Sequence, residues 1–194
     1  MQEVKKEIRI LGIDDASFDR FKDKDVLVIG TIYRGGDWPD GIISTRVTVD
    51  GDDATEKLAK MIKNTKHFDQ LQIVMLDGIA FGGFNVVDIH KLSSMTGLPI
   101  ITIMRSLPNM KKIEAAIENV PNGAKKLKIM RGAGKIHKVC IKETPIYFQA
   151  ANMDFDRVVA ILRVSCTRSL VPEPIRVAHL IASGIAIGES KGRA

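Results

Sequence analysis

The stretch Leu71 to Asp88, LQIVMLDGIAFGGFNVVD, holds the clearest candidate for chemistry. An apolar run, Ile73-Val74-Met75-Leu76, ends on Asp77, and Gly78 follows. The run is short and β-rich enough to be a strand buried on both faces. In open α/β sheets, ligands sit beyond the carboxyl ends of the strands. A carboxylate there is a site candidate on residue types alone, with Gly78 and the turn Phe81-Gly82-Gly83-Phe84 letting a substrate approach the backbone. A second acid, Asp14, holds the same kind of position, closing the run Leu11-Gly12-Ile13. The plainer alternative is that these aspartates only start turns, Asp-Gly being a common turn pair. His179 falls in the apolar segment Ala178 to Ile187 and is either a satisfied core histidine or an acid–base group.

For such acids to act together, their strands must be neighbours. Glu7 to Ile13 predicts a first strand. Asp25 to Tyr33 and Ile42 to Val49 predict a second and third, joined as an antiparallel hairpin through the turn-rich Arg34 to Gly41. Trp38 in that turn is expected to fold onto the sheet edge. A helix over Ala54 to Lys66, capped by Asp53 or Thr55, precedes the strand that ends at Asp77. A helix over Asn85 to Thr96 stops at Gly97. Leu98 to Met104 is a fifth strand ending at Arg105, and Pro108 to Val120 a third helix. Beyond it, Lys126 to Met130, Ile136 to Lys142 and Ile146 to Gln149 are expected as strands, and Asp154 to Ser165 as a helix. The last helix runs from Pro174 to about Ala182, with Gly184 as its stop and a mobile tail from Gly188 to Ala194. A hairpin followed by alternating units implies a mixed sheet, antiparallel hairpin plus parallel strands, with helices on both faces. A dinucleotide fold is excluded, because no helix separates the first two strands and no Gly-x-Gly-x-x-Gly follows the first.

With 194 residues, 45% of them hydrophobic and 27% charged, the chain has the composition of a soluble globular protein. Its two cysteines, Cys140 and Cys166, supply neither a disulfide framework nor a zinc spacing, so a cytoplasmic location is expected. The start, MQEVKKEIRI, has no signal-peptide core, and no segment reaches the ~20 apolar residues of a membrane helix. The net charge of +6 suits a polyanionic partner such as nucleic acid. Its clusters, Lys111-Lys112, Lys125-Lys126-Lys128 and Arg131 to Lys138, are otherwise solvated faces.

With Asp14 closing the first strand and Asp77 the fourth, the chain resembles the RNase H-like fold, and within it endonuclease V. LGIDDASF resembles that family's first-strand motif, and VMLDGIAFGGFNVVDIHKLSSMTGLPIITI its second. Met104-Arg105-Ser106 stands where the family carries a basic residue, and VPEPIRVAHLIA resembles the start of its last helix. Nearly the whole chain, including VDGDDATEKL, PEPIRVAHLIASG and GESKGRA, more closely resembles the largely archaeal domain of unknown function family 99. The endonuclease's glutamate-bearing motif is not reproduced, and no tyrosine between prolines precedes Gly51.

The resemblance implies one endonuclease V-like domain over residues 1–194, with Mg²⁺ or Mn²⁺ as cofactor and DNA or RNA as partner. Phosphodiester cleavage develops charge on the attacking and leaving oxygens, and two divalent ions ~3.5–4 Å apart stabilise both. Asp14 and Asp77 would ligate the metal, with a third acid from the start of the first helix. Asp53 and Glu56 are the candidates, with Asp52 behind them. Arg105, Gly78 and His179 would contact substrate. Phe81 and Phe84 would pack beside the site or stack on a base. Three functions fit: a metal-dependent nuclease, a non-catalytic nucleic-acid-binding module on the same fold, and a small-molecule phosphatase.

Overall fold

The computed structural model describes residues 4–190. In chain order the first elements are β1 (Arg9–Asp15), β2 (Asp25–Arg34), β3 (Trp38–Thr48), α1 (Ala54–Lys63) and β4 (Ile73–Asp77). Next come β5 (Ala80–Phe81), β6 (Asn85–Val86), α2 (Ile89–Thr96), β7 (Ile100–Met104), α3 (Met110–Ile117) and α4 (Gly123–Gly132). The chain ends with β8 (His137–Ile141), β9 (Thr144–Ala151), α5 (Phe155–Ser165) and α6 (Glu173–Ile187). Seven strands form one sheet in the order β3-β2-β1-β4-β7-β9-β8, and β5 and β6 form a separate small hairpin. The strands β1, β4 and β7 run parallel at the centre, flanked by the antiparallel pairs β1–β2, β2–β3, β7–β9 and β8–β9. This is the mixed sheet expected from the sequence, an antiparallel hairpin beside parallel strands with helices on both faces.

Strand alternation splits the core between the two faces of the sheet. Leu11 and Ile13 of β1, with Val74 and Leu76 of β4, pack against Leu58 and Ile62 of α1 and Ile89 and Leu92 of α2. Ile10, Ile73, Met75, Ile101 and Ile103 face the other way, toward Val158, Ile161 and Leu162 of α5 and Ile175 of α6. Central strands covered on both faces lose their polar alternation, which is why Ile10 to Ile13 of β1 and Ile73 to Leu76 of β4 are unbroken apolar runs. Local signals set the helix ends. The Asp88, Asn109 and Asp154 carboxylate or amide oxygens accept from the N–H three residues on, starting α2, α3 and α5. Among the described residues no helix is long and apolar enough to cross a membrane.

Five local expectations fail. Asn85 does not begin a helix: it starts β6, and α2 begins four residues later. Lys126 to Met130 is helical, not a strand, because Asn122 turns the chain at a φ of 58° and α4 follows directly. The Lys126 side chain is buried and its ammonium donates to the Asp50 carbonyl, so a lysine fills what alternation would assign to an apolar residue. Gly184 lies inside α6, which continues to Ile187 and closes at Gly188. Asp53 precedes α1 without capping it, since the Asn85 side-chain oxygen accepts from the Ala54 N–H instead. Trp38 opens β3 and is 65% exposed, not folded onto the edge. Most of the expected tail, residues 191–194, lies outside the described residues.

Candidate functional site

The pairing of β1 with β4 sets the site. Ile13 pairs with Leu76, so the next residues, Asp14 and Asp77, stand side by side at the carboxyl ends of the two strands. Asp14 shares its face with Ile10 and Gly12, and Asp77 shares that same face with Ile73 and Met75. On β7, Ile103 pairs with Asp77, and Arg105 follows two residues later on the same face. One Arg105 guanidinium nitrogen stands 3.4 Å from Asp77 Oδ2.

Helix α6 brings the fourth group. It approaches β1 closely because Gly12 has no side chain: a Cβ there would lie 2.3 Å from the Pro174 carbonyl carbon. The Thr31 hydroxyl donates to the Pro174 carbonyl at 2.5 Å and fixes the contact. From Pro174 the helix runs along β1 toward its carboxyl end, and His179 reaches Asp14, its Nδ1 2.8 Å from Asp14 Oδ2. Gly78 follows Asp77 at a φ of 77°, a conformation that favours glycine, and its N–H donates to the Ile103 carbonyl. These residues line an open cleft of about 740 Å³ together with Asp15, Phe18 and Pro108.

The acids repel one another. Burial, then the Asp77 and Asp15 carboxylates, push Asp14 up to about 8. Burial raises Asp15 to about 6, with Asp77 adding to the rise and the Gly82 N–H opposing it. Burial also raises Asp77, against the pull of Arg105 and His179. Removal from water raises all three, and a neighbouring carboxylate adds to the rise of Asp14 and Asp15.

Asp14, Asp77, Arg105, Gly78 and His179 therefore share one cleft, whereas Asp53 and Glu56 do not line it. Asp53 is held by the Thr48 N–H and hydroxyl, the Asn85 amide and Lys57. Burial pushes Asp53 up, and these hydrogen bonds outweigh it and hold the carboxyl well below the usual range. Glu56 is exposed and paired with Lys91, whose hydrogen bond lowers it. Asp52 takes a hydrogen bond from Asn122 and so ties α4 to the start of α1. Phe81 is fully buried in the core and Phe84 partly buried, and neither lines the cleft.

Sequence reasoning passed over Asp15 and Asn85. Asp15 lines the cleft while its carboxylate accepts from the Gly82 N–H at 2.6 Å, locking the glycine turn against β1. Its only signal was adjacency to Asp14, and alternation argued that it faced away. Asn85 is fully buried and bonds Ala54, Thr48 and Asp53, and its place inside an apolar run hid it.

Among the described residues, no three His, Cys, Asp or Glu side chains stand close enough to hold a metal ion by themselves. The donor chemistry nevertheless suits a hard divalent ion. Mg²⁺ takes oxygen ligands, and one or two carboxylates with water and substrate phosphate commonly complete its shell. Two crowded acids, both driven toward the protonated form, are a charge conflict that such an ion would relieve.

Comparison with known proteins agrees with the fold. A solved protein of unknown function from Archaeoglobus fulgidus superposes with a TM-score of 0.85 at 37% identity, covering 93% of this chain and 99% of that one. Endonuclease V of Ciona intestinalis, solved with a DNA containing an inosine followed by a ribo-adenosine, superposes at 0.55 and 15% identity over 88% of this chain and 82% of that one. A UPF0215 protein of Methanothermobacter thermautotrophicus is 49% identical over 194 residues, 100% of this chain and 95% of its own length. Residues 6–186 match the family model of endonuclease dU, and the chain belongs to that family.

Proposed function

We propose that the chain is a metal-dependent endonuclease cleaving phosphodiester bonds in DNA or RNA, acting as one domain over residues 1–194. The single observation that carries this reading is the lateral pairing of buried Asp14 with Asp77 at one sheet rim, with Arg105 beside them. Mg²⁺ or Mn²⁺ held there would supply Lewis-acid stabilisation of the charge that builds on the phosphate oxygens. Asp14 and Asp77 are the residues to hold it, with water and substrate phosphate completing its shell, while Asp15 braces the glycine turn beside them. Arg105 presents its guanidinium to the scissile phosphate, for which its fork geometry is suited. Gly78 leaves the wall beside Asp77 bare, so a sugar-phosphate strand can come close. His179 acts through Asp14, fixing that carboxylate's orientation, and is a positioning residue.

The family's description points to deoxyuridine-containing DNA as the first substrate to try, and the Ciona complex to inosine-containing DNA as the second. A net charge of +6 favours a polyanion. The free thiols Cys140 and Cys166 go with a reducing, cytoplasmic setting. A second reading, a nucleic-acid-binding module without catalysis, draws on the want of three clustered metal donors among the described residues. Labelled strands carrying deoxyuridine, inosine or neither, incubated with Mg²⁺ or Mn²⁺, separate the two. The nuclease reading expects cleavage by the native chain and by the Glu56→Gln variant, and none by Asp77→Asn. Binding without cleavage supports the module, and neither binding nor cleavage ends both readings.

A further inference from the structure

We infer that a recess next to the cleft seats a single nucleobase of the bound strand, an inference resting on the endonuclease reading above. The recess has a volume of about 430 Å³. The first residues of β9, Thr144, Pro145 and Ile146, form one side, and Leu170 and Val171, leading into α6, form the other. Ile103, Met104 and Arg105 line both the recess and the cleft and so form the partition between them. A phosphate lying against Arg105 in the cleft has the base of an adjoining nucleotide within a few ångströms, and the nearest apolar hollow is this one.

Size and lining select the occupant. The volume falls in the ~300–1,000 Å³ range of small-molecule sites, enough for a nucleoside and too little for a duplex. Pro145, Ile146, Leu170 and Val171 offer apolar surface to the flat faces of a base that has left its stack. Thr144, Ser169 and Arg105 set polar groups at the margin, where the edge of a base carries its donors and acceptors. The wall is held in shape: the Ser169 hydroxyl donates to the Val171 carbonyl at 2.9 Å and accepts from the Val171 N–H at 3.1 Å. The cleft provides charge for the backbone and the recess provides apolar contact for a base. A protein that binds a strand only through its phosphates has no use for the second.

The test fills the recess. Leu170 is 37% exposed and Thr144 partly buried, so Leu170→Trp and Thr144→Trp can each place a large ring there without disturbing the core. Binding to single strands is measured by fluorescence anisotropy in EDTA, with one base at a time removed as an abasic analogue. For the native chain, removing one particular base should weaken binding on the order of tenfold. The filled variants should bind the intact strand on the order of tenfold more weakly and lose nothing further when that base is removed. Native-like binding by both filled variants, or base-removal losses unchanged by filling, overturns the recess and leaves the endonuclease reading standing. A native chain that binds no strand, either in EDTA or with Mn²⁺ present, overturns both.

Discussion

Replacing Asp14 by asparagine should make the metal-free protein more stable at alkaline pH, although it removes a residue from the centre of the site. In the unfolded chain this carboxyl ionises near its ordinary value of 3.8, and in the fold near 8. Below the lower value both states hold the proton and the group is neutral to stability. Between the two values the folded state keeps a proton that the unfolded state has lost, so stability falls as pH rises, and the loss is complete above about pH 8. Each pH unit of that interval is worth ~1.4 kcal/mol, which sets an upper bound of ~6 kcal/mol. Some of this is shared with Asp15 and Asp77, whose carboxyls are raised in the same direction, so ~2–5 kcal/mol is the expected gain at about pH 8.5. Asparagine keeps the geometry: its oxygen can still accept the Asp15 N–H that Asp14 Oδ1 accepts at 2.8 Å, and its amide can face His179. Urea melts in EDTA at about pH 5 and about pH 8.5 measure the effect, which corresponds to a Tm rise of ~5–15 °C at the higher pH. Adding Mn²⁺ should reverse the ranking by stabilising only the native chain. Parallel loss of stability in the two proteins would refute the charge conflict.

Two further substitutions test how the site is built. Gly12→Ala places a Cβ within 2.5 Å of backbone atoms of Pro174 and Ile175, so α6 must lift from β1. The expected loss is ~2–4 kcal/mol in denaturant melts, with cleavage falling as well because His179 leaves Asp14. Asn85→Ala orphans the Ala54 N–H in the interior and takes from the Thr48 carbonyl one of its two donors, the Gly51 N–H remaining, and should cost ~1–3 kcal/mol, while the folded fraction still cleaves at close to the native rate. A strong loss of turnover in that variant would return Asp53 to the list of site acids.

The sheet was legible because its signals are local and redundant. DVLVIGTIY, IVML and IITIM are too apolar and too β-branched for half-exposed elements, and the turn-rich segment before β3 announces the hairpin. Asp14 and Asp77 were legible for the same reason: each is the first charge after such a run. What escaped depends on contacts distant in sequence. KLKIM alternates like a strand, yet the buried Lys126 has its partner at Asp50, 76 residues away. Asp53 looks like a cap or a ligand until Asn85, 32 residues on, is seen to donate to its carboxylate and to cap the helix itself. The glycine that ends α6 is Gly188 because burial of Ala178 and Ala182 against Ala16, Val26 and Ile29 carries the helix past Gly184. Asp15 could not be separated from Asp14 without knowing that the glycine turn folds back to meet it.

The most direct measurement is the anomalous density of a crystal soaked in Mn²⁺. A peak shared by the Asp14 and Asp77 carboxylates, and lost in the Asp77→Asn variant, is the expected result. Density held by Asp53 or Glu56 instead, or none between the two strand-end aspartates, would contradict the proposed centre.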